Sequence, residues 1–224
     1  MGSLYSIAGI VEMAGIIAFS ISGAMIAVEE EVDLFGILLL GLITAMGGGV
    51  IRDVLLGLFP SANFYNYPGI IASLASSAAV FVIAYTNRDY YFRHTGRIAA
   101  INNVVDSLGL GLFSVTGAYT AMQAAGGENI YLLVFMGMLT GIGGGLIRDT
   151  IVGRKPVILT RYIYAVASIL GSLCYLLLLA HGQRSGEASF YSVVLVVLIR
   201  MIATKKHWNL PRVSRRGGEG EDGK

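Results

Sequence analysis

A seven-residue motif that occurs twice, each time inside an apolar run, constrains this chain more than any other feature. Residues 47–53 read GGGVIRD, and residues 143–149 read GGGLIRD. A glycine and a proline follow each copy at the same spacing, as Gly57 and Pro60 and as Gly153 and Pro156. Agreement at so many positions indicates an internal repeat.

Each motif lies in an apolar stretch long enough to cross a bilayer, at about residues 34–58 and 130–152. Glycines inside a helix cost about 1 kcal/mol each relative to alanine, and an arginine and an aspartate at membrane depth require a partner or a hydrated cavity. A plain lipid-facing anchor would not carry these costs. We therefore predict that both motifs face a polar interior.

The composition fits a membrane protein with several helices, since 55% of the 224 residues are hydrophobic and only 13% are charged. We predict an all-α membrane protein with seven transmembrane helices, of which the glycine-rich second and fifth are kinked. The first begins almost at Met1 with no basic residue before it, so we expect a retained helix and not a signal peptide. The seven apolar spans are about residues 4–28, 34–58, 68–86, 98–124, 130–152, 160–181 and 188–204.

Basic residues in the loops predict an amino terminus outside the cell and a carboxy terminus in the cytoplasm. With this orientation, Arg184 is the only basic loop residue that lies outside. The tail, residues 205–224, is predicted to be cytoplasmic and disordered, with a basic part attracted to anionic lipid before an acidic end. The cytoplasmic loop residues are then Arg88, Arg93, Arg97, Arg154, Lys155 and Arg161.

A second pair of matching segments extends the repeat. Residues 19–24 read FSISGA and residues 113–118 read FSVTGA, and Glu12 and Asp106 occupy equivalent offsets before them. The repeat unit is therefore three helices, and an odd number of crossings makes the second unit run in the opposite sense. We predict one transmembrane domain at 1–204, with repeat one at about 5–86, repeat two at about 98–181 and an extra helix at about 188–204.

Two interpretations of the repeated spacing of charges stay open: a structural ion-pair network, or a gate beside a polar path. Helix geometry makes a Glu12–Arg52 pair and an Asp106–Arg148 pair reasonable, although Asp53 and Asp149 compete for the same arginines. The last span has no repeat partner, so we expect a peripheral brace whose Arg200 extends to the membrane surface. The charged candidates are Glu12, Arg52, Asp53, Asp106, Arg148 and Asp149.

The glycines also have two interpretations, close helix packing and a pore or hinge in which an opened backbone offers carbonyl oxygens to a cation. Hydroxyl groups that recur in both repeats either line this path or bond to the carbonyls of their own helices. The glycine candidates are Gly47, Gly48, Gly49, Gly143, Gly144 and Gly145. The hydroxyl candidates are Ser20, Ser22, Thr44, Ser114, Thr116 and Thr140.

Several kinds of chemistry are not indicated. The single cysteine, Cys174, fits a buried structural thiol, and His94, His181 and His207 fall in loops or the tail without metal-ligand spacing. The triplets lack the strand before them and the lysine after them that a phosphate-binding loop requires. We see no nucleophile and base pair, and we expect neither an enzyme nor a nucleic-acid partner.

The doubled GGGxIRD motif, the Phe-Ser-x-Ser/Thr-Gly element before each copy and the three-plus-three-plus-one arrangement resemble the prokaryotic TRIC (trimeric intracellular cation) channels, whose sequences are also labelled as a bacterial glycine-transporter domain. The resemblance covers about residues 5–204. It implies a homotrimer with one ion pathway in each protomer, conducting K⁺ and to some degree Na⁺. Eukaryotic relatives carry a Lys-Glu-Val element that this chain lacks, which argues against lipid regulation through it.

Two functions follow from these observations. The first is a K⁺-preferring channel in the cell membrane of a prokaryote, whose partners are further copies of the chain, monovalent cations and membrane lipids. The second is a secondary transporter for a small solute such as glycine, which inverted repeats and paired charges also fit. We expect no cofactor beyond the permeant K⁺ or Na⁺ and bound lipid.

Overall fold

A computed structural model describes residues 6–160, 163–206 and 208. Every regular element in these ranges is helical. The elements are α1 (Ile7–Glu29), α2 (Leu34–Leu55), a 3₁₀ turn (Ala62–Tyr65), α3 (Tyr67–Thr86), α4 (Arg88–Arg93), α5 (Thr95–Ala125), α6 (Ile130–Ile151), α7 (Val157–Thr160), α8 (Tyr164–Ala180) and α9 (Ser185–Lys205). The predicted tail, including His207, lies outside the described residues apart from Lys205, Lys206 and Trp208.

The described residues contain seven apolar helices of 17 residues or more, as predicted. Six of them are long and apolar enough to cross a membrane, and α8 is a shorter apolar helix of 17 residues. The short helices α4 and α7 were not predicted, because each is too brief to give a periodic pattern. Both α2 and α6 continue as single α-helices through their glycine triplets, so neither backbone is unwound there, and a kink stays a prediction.

Local signals explain where the spans begin. The side chains of Ser6, Asp33, Asn66 and Asn129 each accept a hydrogen bond from a backbone N–H in the first turn of α1, α2, α3 or α6. Each such cap stabilises a helix end by about 0.5–2 kcal/mol. Four of the seven spans therefore begin at a polar residue that the sequence places at the edge of an apolar run.

The repeated glycine after each motif ends its helix. Gly57 and Gly153 adopt φ values of +70° and +71°, the left-handed conformation that glycine adopts most easily. In both copies the following N–H reaches back to the aspartate carbonyl, from Leu58 to Asp53 and from Arg154 to Asp149. This arrangement is the Schellman motif, and it explains why glycine recurs at this spacing.

Matching contacts pack the two three-helix units. A Cβ atom at Gly23 would lie 2.5 Å from the Thr44 hydroxyl oxygen, and a Cβ atom at Gly117 would lie 2.4 Å from the Thr140 hydroxyl oxygen. Similarly, the Ser77 hydroxyl approaches Gly41 and the Ser172 hydroxyl approaches Gly137. The internal repeat of the sequence is thus also a repeat of helix contacts.

We predict that a cysteine at Ala62, in the exposed 3₁₀ turn, reacts with an impermeant thiol reagent only from outside the cell, and one at Thr95 only from the cytoplasm. The reason is the charge asymmetry of the loops. The measurement is labelling of intact cells and of inverted vesicles, in a Cys174→Ser background. Labelling of Ala62→Cys from the cytoplasmic side alone would contradict the orientation.

Candidate functional site

The two glycine triplets meet where α2 crosses α6, in the interior of the helix bundle. A Cβ atom at Gly48 would lie 2.1 Å from the Thr140 carbonyl oxygen, and one at Gly144 would lie 2.0 Å from the Thr44 carbonyl oxygen. Any larger residue would collide with the backbone of the other helix. Close packing is therefore established for the triplets, and their role as a pore or hinge stays a prediction.

The outer members of each triplet differ in their neighbours. The first glycines continue the crossing, since a Cβ atom at Gly47 would meet the side chain of Ile147 and one at Gly143 would meet Gly48. The third glycines leave room for polar groups, with the Asn63 side chain beside Gly49 and the Tyr164 hydroxyl beside Gly145. Each triplet thus joins a tight helix contact to a polar region.

The motif arginine of α6 lies at the centre of a buried network. Arg148, 2% exposed, donates through Nη1 to Asp106 Oδ1 at 2.9 Å and to Ser22 Oγ at 2.8 Å, and through Nε to Asp149 Oδ1 at 2.9 Å. Ser22 in turn donates to Asp106. The Val157 backbone N–H, at the start of α7, donates to Asp149 Oδ2 at 2.8 Å. The predicted Asp106–Arg148 pair is confirmed, and it joins α5 to α6, while Ser22 adds α1 to the network.

The motif arginine of α2 has a different set of partners. Arg52 donates through Nε and Nη2 to Asp53 Oδ1, at 2.8 and 2.7 Å. The other oxygen of Asp53 accepts from Ser61 Oγ at 2.6 Å and from Asn63 Nδ2 at 3.3 Å. Glu12 has no hydrogen bond or ion pair within 4.0 Å in the described part of the chain, so the predicted Glu12–Arg52 pair was wrong. The Arg52 guanidinium binds the carboxylate of Asp53 instead, which is the next residue in the chain.

The hydroxyl candidates mostly bond to their own helices. Ser20, Thr44, Ser114, Thr116 and Thr140 each donate to a carbonyl three or four residues earlier in the chain. Ser22 is the exception, because it bridges Asp106 and Arg148. In this conformation the backbone therefore satisfies most of the hydroxyls, and their contact with a cation stays a prediction.

A polar cavity of about 200 Å³ lies directly beside the Arg148 network. At its lip Arg154 donates to Glu29 at 3.0 Å and also to Glu30. Burial alone would lower the pKa of Arg154, but these hydrogen bonds and the two negative charges raise it. The lining residues that carry charge are Glu29, Asp106, Arg148, Asp149, Arg154, Lys155 and Arg200.

Sequence reasoning missed several residues of these networks. Arg200 does not extend to the membrane surface but is 3% exposed and donates to Asn103 Oδ1 at 2.8 Å. Its guanidinium carbon lies 4.7 Å from the centre of the Tyr164 ring. The signal was an arginine alone in an apolar span, which in a membrane protein marks a functional position by default. Ser61 and Asn63 gave no signal, because they lie in a loop whose path is not periodic.

Comparison with known proteins gives consistent results. A sequence model of a family described as "Glycine transporter" matches residues 9–85 and again 103–180. The chain is 34% identical over 208 residues to the UPF0126 membrane protein YvgT of Bacillus subtilis, covering 92% of this chain and 96% of that protein.

Solved structures are similar over nearly the whole chain. A structure from work on conductance through TRIC cation channels matches with a TM-score of 0.77 at 35% identity, covering 92% of this chain and 97% of that one. A TRIC trimeric intracellular cation channel orthologue from Rhodobacter sphaeroides matches with a TM-score of 0.79 at 30% identity, covering 90% and 98%.

We predict that Gly144→Ala destabilises the protein by about 1–3 kcal/mol, because the new methyl group would overlap the Thr44 carbonyl and force α2 from α6. Thermal unfolding in detergent measures this loss. Gly96→Ala is the matched control, since nothing lies within 4 Å of its added Cβ. Equal midpoints for both variants would contradict the close crossing.

We also predict that Asp106→Asn lowers stability by about 3–5 kcal/mol, because it removes a carboxylate from a buried arginine. Asp89→Asn is the comparison, because Asp89 pairs with Arg93 on the surface and such pairs contribute about 0–1 kcal/mol. The unfolding midpoints of the two variants are compared with the parent. A larger loss in Asp89→Asn would show that the Asp106 pair is not a main support of the fold.

Proposed function

Because the chain belongs to the membrane-protein family that the glycine-transporter model describes and that includes the TRIC channels, we propose that it is a cation channel. The proposed channel prefers K⁺ over Na⁺ and acts in the cell membrane of a prokaryote, as a homotrimer with one pathway in each protomer. The names of the similar structures support cation passage and a trimeric assembly. In this proposal the amino terminus lies outside the cell, and the channel binds lipids of the surrounding membrane.

One observation carries the proposal of a path inside each protomer. Two arginine and aspartate networks flank the α2–α6 crossing, and their side chains are almost fully buried inside the helix bundle of a single chain. Charged groups at membrane depth almost always face the bundle interior or a water-filled cavity. A path that passes both networks therefore runs between α1, α2, α5 and α6.

In this scheme the carboxylates attract the cation and the arginines limit its passage. Asp106 and Asp149 border the cavity from which a cation approaches, while Arg148 balances part of their charge. The crossing closes the path in this conformation, since the Thr140 carbonyl lies against Gly48. Conduction then requires α2 and α6 to separate, which exposes the carbonyl oxygens of Thr44 and Thr140 to the cation.

A secondary transporter of a small solute is the second candidate, and the matching contacts of the two repeats favour it. Such a protein exposes one central site alternately to each side. It differs from a channel in kinetics, because uptake saturates with substrate and depends on an ion gradient. Glycine is the substrate to test first, given the description of the family.

We expect the purified protein in a planar bilayer under a KCl gradient to give discrete current steps that reverse near the K⁺ potential. Replacing KCl with NaCl on one side measures the preference between the two cations. Silence from folded protein, together with saturable glycine uptake into vesicles, would favour the transporter. Native mass spectrometry in mild detergent tests the trimer.

A serine substitution tests whether the path passes the Arg148 network. Ser22→Ala removes a hydroxyl group that lies between Arg148 and Asp106, so we expect a changed unit current. Ser189→Ala is the matched control, because this buried serine bonds to the Ser185 carbonyl in α9, away from the proposed path. Equal unit currents in Ser22→Ala and the parent would place the path elsewhere.

A further inference from the structure

Arg200 of α9 is a buried cation that has no carboxylate partner among the residues the structure describes. Its side chain is 3% exposed, and its Nη2 donates to the neutral oxygen of Asn103 at 2.8 Å. Its Nε is buried and has no hydrogen-bond partner in the described part of the chain. Within the described ranges, no acidic oxygen lies within 4.0 Å of its nitrogens. The ring of Tyr164 under the guanidinium offers only a weak attraction in comparison.

The two other arginines of the same cavity are balanced, and Lys155, the remaining basic residue of its lining, is exposed. Arg148 pairs with Asp106 and with Asp149, and Arg154 pairs with Glu29 and Glu30. Arg200 therefore contributes the buried positive charge that no adjacent carboxylate offsets. Its unpartnered Nε belongs to a residue that lines the cavity beside Arg148.

The first repeat has no equivalent of this arrangement. At the offsets that relate the two repeats, the positions of Asn103 and Tyr164 correspond to Gly9 and Gly69. Arg200 itself comes from α9, the helix that follows the two three-helix units and packs on α5 and α8. The positive charge is thus added at the end of the structure that holds the Arg148 network.

We propose that Arg200 is a conductance-determining residue, which sets an electrostatic barrier to cations at the cavity end of the path and makes the channel conduct unequally in the two directions. The inference rests on the proposed channel function. Asn103 and Tyr164 are positioning residues, because they hold the guanidinium beside the cavity. The helix outside the repeats thereby adds a further charge asymmetry to the one between the Arg52 and Arg148 networks.

Elementary electrostatics gives the size of the effect. The effective dielectric constant near the cavity lies between that of protein and that of water. Under these conditions a unit charge about 10 Å from the path changes the local cation concentration about two- to fivefold. Salt screens such a charge, since the Debye length falls from about 10 Å at 0.1 M to about 3 Å at 1 M. A barrier of this origin therefore weakens as the KCl concentration rises, whereas a change of pore shape does not.

The test is single-channel recording in symmetric KCl at about 0.1 M and about 1 M, with Arg200→Gln, Arg200→Met and Arg200→Lys beside the parent. We expect both neutral variants to change the ratio of unit currents at opposite voltages about two- to fivefold at the lower salt, and much less at the higher. Arg200→Lys keeps the charge and should retain the parent ratio. Lys205→Gln is the matched control, because it removes an exposed charge from the same helix.

Each outcome decides the inference. The inference is overturned if Arg200→Gln and Arg200→Met keep the current ratio of the parent. It is also overturned if Arg200→Lys changes the ratio as much as the neutral variants do, or if the change is the same at both salt concentrations. Either of these results would indicate a structural role for Arg200. An equal effect of Lys205→Gln would assign the barrier to the membrane surface charge. A parent protein without any current would instead refute the proposed channel function.

Discussion

The close crossing of α2 and α6 is the contact on which the rest of the structure depends. Backbone atoms of each helix approach the glycines of the other so closely that no side chain fits between them. Lipid provides no hydrophobic driving force between helices, so contact of this kind contributes much of their association. The crossing also fixes the position of Arg52 and Arg148, which follow the triplets by one helical turn at opposite ends of it.

The two repeats stabilise their buried motif arginines with different partners. Arg148 has two carboxylates and a serine around it, drawn from three helices. Among the described residues Arg52 pairs with Asp53, whose second oxygen is held by a loop serine and asparagine, and Glu12 forms no ion pair. A sequence repeat therefore constrains which groups enter the membrane, while the loops and α9 decide how each group is balanced.

The sequence predicted the spans well because a bilayer imposes strict requirements on apolar length and on backbone hydrogen bonds. The Asp106–Arg148 pair was accessible to the same reasoning, since helix rise places both at similar depth. The competition between Asp53 and Glu12 was not, because it is decided by side-chain reach over a few ångströms. The prediction for the Arg200 side chain was wrong for a related reason. An arginine near a helix end extends to the surface or turns inward depending on its neighbours in the fold, which the sequence does not show.

The central claim is that each protomer contains its own pathway, and mixed assemblies test it most directly. The parent chain and Ser22→Ala, which is expected to differ in unit current, are expressed together and recorded as single assemblies. If each chain has its own pathway, a mixed assembly shows only two unit currents, that of the parent and that of the variant. Both are then seen in the same assembly, because its pathways open independently. A series of intermediate unit currents, one for each ratio of the two chains, would show a shared pore and contradict the account.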